Sequence, residues 1–209
     1  LKFYGTNSGS NVISKSQIRT IAGSSSSNAG IVIVEVKDGL GSMQERLRID
    51  GDGGLATFSA GINVSAGNVT LPAQPAFSIT KTNQDNIAIN SWIPVTWETE
   101  IFDQGGNFAS NTFTAPVAGR YQLNVQMRLD NIDSAADYYQ IKIETSNRNY
   151  YNTIDPDFGQ DATYWTLEIS ILADMDASDI ATIEIKQGAG TAQTDISGAS
   201  SFFSGFLAC

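Results

Sequence analysis

From Gly119 to Asp130 every second residue is apolar. Tyr121, Leu123, Val125, Met127 and Leu129 fall on one side of an extended chain, and Arg120, Gln122, Asn124, Gln126 and Arg128 on the other. Successive side chains of a strand point to opposite faces, so this alternation marks a strand with one face in a core and one in water. The pattern returns three times. Tyr139, Ile141 and Ile143 oppose Gln140, Lys142 and Glu144; Trp165, Leu167, Ile169 and Ile171 oppose Thr166, Glu168 and Ser170; Ala181, Ile183 and Ile185 oppose Thr182, Glu184 and Lys186. No segment keeps a helical period long enough to compete. Such strands, parted by clusters of Gly, Asn, Asp and Ser, predict an all-β sandwich or barrel.

The chain of 209 residues has room for one domain or two modest ones. Lys and Arg total 12 against 22 Asp and Glu. A surface that acidic repels phosphate backbones, so no nucleic-acid partner is expected, and the charge serves to keep exposed strands soluble. No stretch is long and apolar enough for a membrane-spanning helix and no signal-peptide pattern opens the chain, so membrane insertion is not expected. The chain starts on Leu1 rather than Met, as expected of a piece of a longer or processed protein. It contains no His, which removes the usual general base and the commonest metal ligand. The single Cys, Cys209, is the last residue, so neither an internal disulfide nor a thiolate zinc site can form within the chain.

The first third differs from the rest. Residues 1–54 hold short β-rich pieces (Ile31 to Val36, Leu47 to Ile49) broken by Gly and Ser, with a polar loop from Gly23 to Gly30. Over 55–74, Leu55, Phe58, Ile62, Val64, Val69 and Leu71 recur sparsely among small residues, too few to bury a core alone. Identical chains wound about one axis would share a core that one cannot build. The competing expectation is a solvated linker, which has no use for regular apolar residues. Pro72 and Pro75 bracket the junction with a head over 75–209, since each interrupts a ladder.

The head resembles the C1q/TNF-like globular domain. Pro75-Ala76-Phe77-Ser78 is similar to that family's opening strand, and Ile93 to Phe108 to its second. Phe113-Thr114-Ala115-Pro116-Val117-Ala118-Gly119-Arg120-Tyr121 is its most recognisable stretch, and Ser201-Phe202-Phe203-Ser204-Gly205-Phe206-Leu207 resembles its closing strand. In the turn Met175 to Ile180, Ser178 stands where the family usually has Gly. The resemblance implies a homotrimeric jelly-roll head preceded by a β-rich stem. Pro116 and Gly119 are expected to form a tight corner, Gly through a backbone conformation closed to residues with a Cβ. Gly205 is expected to admit a neighbouring chain or ring closely. Tyr121, Trp165, Phe202, Phe203 and Phe206 are expected to fill the sandwich core or a trimer axis.

Glu45-Arg46-Leu47-Arg48-Ile49-Asp50-Gly51-Asp52-Gly53 resembles an element of bacteriophage tail fibres and related appendages, with Gln17-Ile18-Arg19 upstream in the same context. That implies a virion protein joined to other virion proteins through its N-terminal side. Alternating Glu45, Arg46 and Arg48 also suit surface ion pairs, worth little when exposed.

Asp and Glu are the only side chains suited to catalysis, and nothing in the sequence places two of them across a substrate, so no enzyme is expected. Asp155, Asp157 and Asp161 are oxygen ligands of the kind calcium takes, but their spacing is not that of an EF-hand loop, and no cofactor or metal is expected. Gly51-Asp52-Gly53-Gly54 is a turn signal before it is a ligand site. The segment Ser146 to Tyr164 reads as a connecting loop displaying Tyr150, Tyr151, Phe158 and Tyr164 among Asn and Asp, chemistry that grips sugars. The ligand-binding candidates are Tyr150, Tyr151, Asp155, Asp157 and Phe158; the competing expectation is that the tyrosines pin the loop to its own sandwich. Gly188 to Ala199 reads as a second exposed connection. The expectation is a trimeric phage fibre or appendage whose knob binds a host-surface polysaccharide or protein. A capsid-decoration or baseplate trimer without a receptor is the alternative, with a depolymerase tailspike and a bacterial C1q-like surface protein behind it.

Overall fold

A computed structural model describes residues 1–6, 12–22, 30–37, 42–50, 55–58, 71 and 73–209. The expected loops Gly23 to Gly30 (except Gly30 itself, which opens a strand) and Gly51 to Gly54, and most of the sparse apolar series before Leu71, lie outside the described residues. The chain forms two compact units, Leu1–Val69 and Thr70–Cys209.

The first unit contains an antiparallel meander of β1 (Lys2–Thr6), β2 (Val12–Ala22), β3 (Gly30–Lys37), β4 (Met43–Asp50) and β5 (Leu55–Phe58), paired in chain order. Cross-strand partners share a face, and the pairs Ile18–Val34, Val34–Leu47, Leu47–Phe58 and Val32–Ile49 gather apolar residues on one side. Ile18, Val32, Ile49 and Phe58 are exposed there. The other side buries Ile31 and Ile33. It also carries a forked ion pair in which Arg19 donates through Nε and Nη2 to Glu35 at 3.0 and 3.1 Å. Arg19 and Gln17, both bonding the carboxylate, hold the Glu35 carboxyl below its ordinary range. The expected Glu45–Arg48 pair is present at 3.8 Å.

In the second unit the strands are β6 (Ala76–Thr80), β7 (Ile93–Pro94), β8 (Thr99–Gln104), β9 (Phe108–Ala109), β10 (Thr112–Thr114), β11 (Gly119–Ile132), β12 (Ala136–Thr145), β13 (Asn149–Ile154), β14 (Ala162–Met175), β15 (Ile180–Ala189) and β16 (Asp195–Leu207). They make one sheet in the order β14-β11-β16-β6-β8 and a second in the order β13-β12-β15-β10-β9, with β7 on β15. From β10 onward the chain crosses between the sheets at every step but the β12–β13 hairpin, which is the doubly wound Greek key of a jelly roll. The all-β jelly-roll expectation is met by this strand order.

The alternating apolar residues meet between the sheets. Tyr121, Leu123, Met127, Leu129, Tyr139, Ile141, Ile143 and Phe203 are all buried. The Phe77 ring stacks on Phe113 at 4.7 Å and meets the Phe203 ring edge-on at 5.0 Å. Each such side chain contributes about 1.5–3 kcal/mol by leaving water. The buried hydroxyls are satisfied: Tyr121 donates to the Val117 carbonyl at 2.8 Å, and the Asp133 amide donates to the Tyr139 hydroxyl at 2.9 Å.

Several expectations change. The second strand expected over Ile93 to Phe108 is divided into β7, β8 and β9. Gly119 does not need a special backbone conformation; it needs the missing Cβ, which would stand 2.5 Å from Leu207 Cδ1 and 2.7 Å from the Cys209 carbonyl oxygen. Gly205 does admit close neighbours, since a Cβ there would lie 2.7 Å from Leu123 Cδ2. Ser178 takes φ 77°, so the departure from Gly falls on a left-handed position. Of Gly188 to Ala199 only residues 190–194 connect strands, with Thr191, Ala192 and Gln193 exposed; Gly188 lies in β15, and Thr194, Ile196 and Ser197 are buried. The carboxylate of Asp133 organises this region. It accepts from the Ala135 and Ala192 amides at 2.8 Å each, and from the Thr191 amide and hydroxyl.

Candidate functional site

The expected binding loop is mostly strand. Tyr150 and Tyr151 sit on β13, an edge strand, and alternate across it. Tyr150 is half-buried against the core, whereas Tyr151 is 52% exposed on the outward face of the second sheet. The true connection is 155–161, where Phe158 stacks on Trp165 at 5.3 Å. The acidic residues serve the turn: Asp155 accepts from the Asp157 amide at 3.1 Å, and Asp161 accepts from the Ser134 amide and hydroxyl. Among the described residues no group of three or more His, Cys, Asp or Glu could hold a metal ion. The five residues expected to bind together are thus divided between an inner surface, an outer face and a turn.

Three of the five expected packing residues, Trp165, Phe202 and Phe206, are not in this chain's core; Phe202 is half-buried on the outward parity of β16, opposite Gln126 and Thr80. Tyr121 and Phe203 are fully buried, but Trp165 is 41% and Phe206 45% exposed. Trp165 continues the inward row of β14, opposite Leu129, and its ring stacks on Phe158. Phe206 falls on the outward parity of β16, opposite Gln122 and Ala76.

The structure assembles a different cluster around Tyr151. Register places Tyr151, Lys142, Glu184 and Pro94 in one cross-strand row on the outward face. Alternation alone predicts an exposed Lys142. It is buried instead, its ammonium 2.5 Å from Glu144 Oε2 and 2.7 Å from Glu184 Oε2, with the Trp92 ring centroid 4.6 Å away. Burial works against the charged ammonium, but the two carboxylates outweigh it and hold Lys142 above its ordinary range. The Trp92 ring, half-buried, lies 6.1 Å from that of Tyr151 at 45°. Asn149 donates to the Tyr151 hydroxyl at 3.1 Å. Trp92 escaped sequence reasoning because its partners are far along the chain. The one local signal was a tryptophan in a polar turn just ahead of Ile93-Pro94.

The outward face of the first sheet is unlike this. Register aligns Leu172, Gln122, Phe206, Ala76 and Gln104 in one row and Ser170, Asn124, Ser204, Ser78 and Phe102 in the next. Neither row holds a charge. Gln122 donates to Asn124 Oδ1 and Ser170 Oγ at 3.0 Å each, and Leu172, Phe102 and Phe206 stand exposed. Elsewhere in the same unit, an open apolar hollow of about 580 Å³ is lined by Leu71, Pro75, Pro116, Val117 and Leu207, with no charged side chain in its wall.

No family model matches the chain, and no curated protein does. Among solved structures it is similar to the globular domain of zebrafish complement 1qA protein, at 18% identity over 65% of this chain and 98% of that one, with a TM-score of 0.49. Two crystal structures of murine APRIL, at pH 8.0 and pH 8.5, are similar at 14% and 12% identity, each over 64% of this chain and 98% of that one, with TM-scores of 0.46 and 0.45. The strand order, not this likeness, establishes the jelly roll.

Proposed function

We propose that the chain is part of a homotrimeric bacteriophage fibre or related virion appendage whose jelly-roll head binds a glycan on the host cell surface. The observation that carries this reading is the contrast between the outward faces of the two sheets. One offers uncharged rows with exposed Leu172 and Phe206, which lose little when covered by an identical chain. The other offers aromatic rings beside pinned charges, which suit a small polar ligand at the edge of water. The apolar side of the N-terminal meander fits the same assembly, since identical chains would cover what one leaves exposed. That end would join other virion proteins, as the resemblance of Glu45 to Gly53 suggests.

Adhesion in this reading works by avidity: linked heads present weak sites together, and the linkage raises the effective affinity without new contacts. Catalysis is not part of it. The chain has no His, and the carboxylates of Asp155 and Asp161 accept from the Asp157 amide and from Ser134. Light scattering on the purified chain at micromolar concentration should give the mass of three chains; a monomer overturns the architecture. The assembled protein, fluorescently labelled, should decorate cells of some members of a bacterial panel and not others. Binding to none, or equally to all, removes the receptor role and leaves a decorating trimer.

A further inference from the structure

On the outward face of the second sheet two aromatic rings, two carboxylates and one ammonium converge from four separate parts of the head. Trp92 comes from the turn before β7, Lys142 and Glu144 from β12, Tyr151 from β13 and Glu184 from β15. The fold has no evident need of this arrangement. The core lies on the other side of the sheet, and a tyrosine 52% exposed on an edge strand adds little to it.

We propose that the angled notch between Trp92 and Tyr151 is a subsite for a neutral hexopyranose, whose C–H face lies on a ring while its hydroxyls donate to Glu144. This rests on the adhesive reading of the head and gives its ligand a chemical class. The ring planes meet at 45° with centroids 6.1 Å apart, which leaves Tyr151 open on the outward side. The Tyr151 hydroxyl accepts from Asn149 and so keeps its own proton to donate. Glu144, with its side chain 44% exposed, is tethered by Lys142 at 2.5 Å and can accept from a sugar hydroxyl without first being ordered. A hydroxyl donating to an ionised carboxylate makes one of the stronger hydrogen bonds.

Charge selects the class. Glu144 and Glu184 set two negative charges against the one positive charge of Lys142, leaving that triad net negative in a chain whose net charge is −10, while Lys186, the next cation on this face, lies over the Tyr138 ring. Sialylated, uronic and phosphorylated sugars are repelled. Lys142, held by both carboxylates and covered by Trp92, is not available to compensate them. The Phe158–Trp165 pair does not compete for the role. Those rings are spent on each other, and neither carries a tethered carboxylate.

The test is saturation-transfer NMR on the assembled full chain. The probes are the methyl glycosides of glucose, galactose, mannose and N-acetylglucosamine, with 3′-sialyllactose and methyl glucuronide as acidic counterparts. At least one neutral glycoside should bind with a millimolar Kd, and each acidic probe should bind at least about tenfold more weakly. Tyr151→Ala should weaken binding about tenfold. Tyr151→Phe, which keeps the ring and the fold, should weaken it less, and Phe158→Ala should leave it unchanged. Failure of all four neutral glycosides, equal binding of the acidic ones, or survival of binding in Tyr151→Ala overturns the subsite. Cell labelling separates this from the wider reading. If Tyr151→Ala still decorates bacteria, adhesion stands and the subsite falls. If a glycoside binds through Tyr151 while the assembly decorates no bacteria, the subsite stands and the adhesive reading falls.

Discussion

The two sheets of the head bury like faces and present unlike ones. Inward, both are rows of Ile, Leu, Phe and Tyr that interlock in one core. Outward, two rows of the β14-β11-β16-β6-β8 sheet hold neutral amides and hydroxyls among exposed Leu172, Phe102 and Phe206, with Arg120 and Asp174 in the row on one side of them and Glu168, Arg128 and Asp130 in the rows on the other. The β13-β12-β15 side carries Lys142, Glu144, Glu184 and Lys186 beneath aromatic rings. Covering neutral, already paired side chains with protein costs little. Burying tethered ions costs several kcal/mol per ion, so the second face is better kept at the edge of water. The same pleat thus supplies a surface suited to a large dry contact and another suited to a small wet one.

The contrast breaks most visibly at the uncharged rows. If the proposed trimer closes through them, Leu172→Lys with Phe206→Lys should reduce it to monomers, because central contact residues of this kind cost about 2 kcal/mol or more each. The monomer should stay folded, since both side chains already face outward at 52% and 45% exposure. Tyr151→Lys on the opposite face should leave the assembly intact. Sedimentation velocity compares the two directly; an intact trimer in the double variant would place the contact elsewhere.

The next largest effect lies where the sheets join. Asp133 sits in the turn from β11, in the first sheet, to β12, in the second, and is 3% exposed. The Ala192 amide, the Ala135 amide and Thr191 all donate to its carboxylate and hold it below the ordinary range against the effect of burial. Asp133→Ala leaves those amides without an acceptor and should cost about 3 kcal/mol in urea unfolding. The sign with pH is fixed by the direction of the shift. The stability from a depressed carboxyl is complete above its unfolded value, about 3.9, and is lost as pH falls through the lower folded value. The advantage of the native chain over Asp133→Asn should therefore shrink below about pH 4 and stay level above it. An unchanged gap at low pH would mean that Asp133 acts by packing alone.

What was legible in the sequence follows the same division. Inward residues repeat at every second position because one core constrains them all, so Tyr121 to Leu129 announced β11 and its buried face. Outward residues answer to partners that the chain meets only after folding. Trp92 lies over Lys142, fifty residues along by number, because β7 and β12 both pair with β15, and no local pattern states that. Tyr150 and Tyr151 were read as loop because Asn and Asp surround them, yet pairing with β12 makes that segment an edge strand and turns the two rings apart. Size alone leaves Phe206 to the core or to a trimer axis; its register opposite Gln122 puts it on the outward face and so takes it out of this chain's core. Of the notch, Tyr151 and the same-face pair Lys142 and Glu144 are readable in the sequence, whereas Trp92 and Glu184 need the register.

A smaller effect tests whether the ions of the second face belong to the fold or to a ligand. Lys142→Met keeps the aliphatic length beneath Trp92 and removes the ammonium. Deleting one partner of a fully buried pair costs about 3–5 kcal/mol. Here the abandoned carboxylates, 44% and 22% exposed, can turn to water, so the expected loss is smaller, about 1–2 kcal/mol, part of it the ring contact with Trp92. Burial lowers and the two carboxylates raise the Lys142 ammonium, with a net rise. Its contribution is therefore complete below the unfolded value, about 10.4, and is lost only as pH climbs through the higher folded value. Urea unfolding should give a level gap between native and Lys142→Met chains from neutral pH to about 10, narrowing above. Asn124→Ala in the uncharged rows should show a smaller loss with no such narrowing. If both gaps narrow together, alkaline loosening of the whole head is the cause, and Lys142 is not the group that titrates.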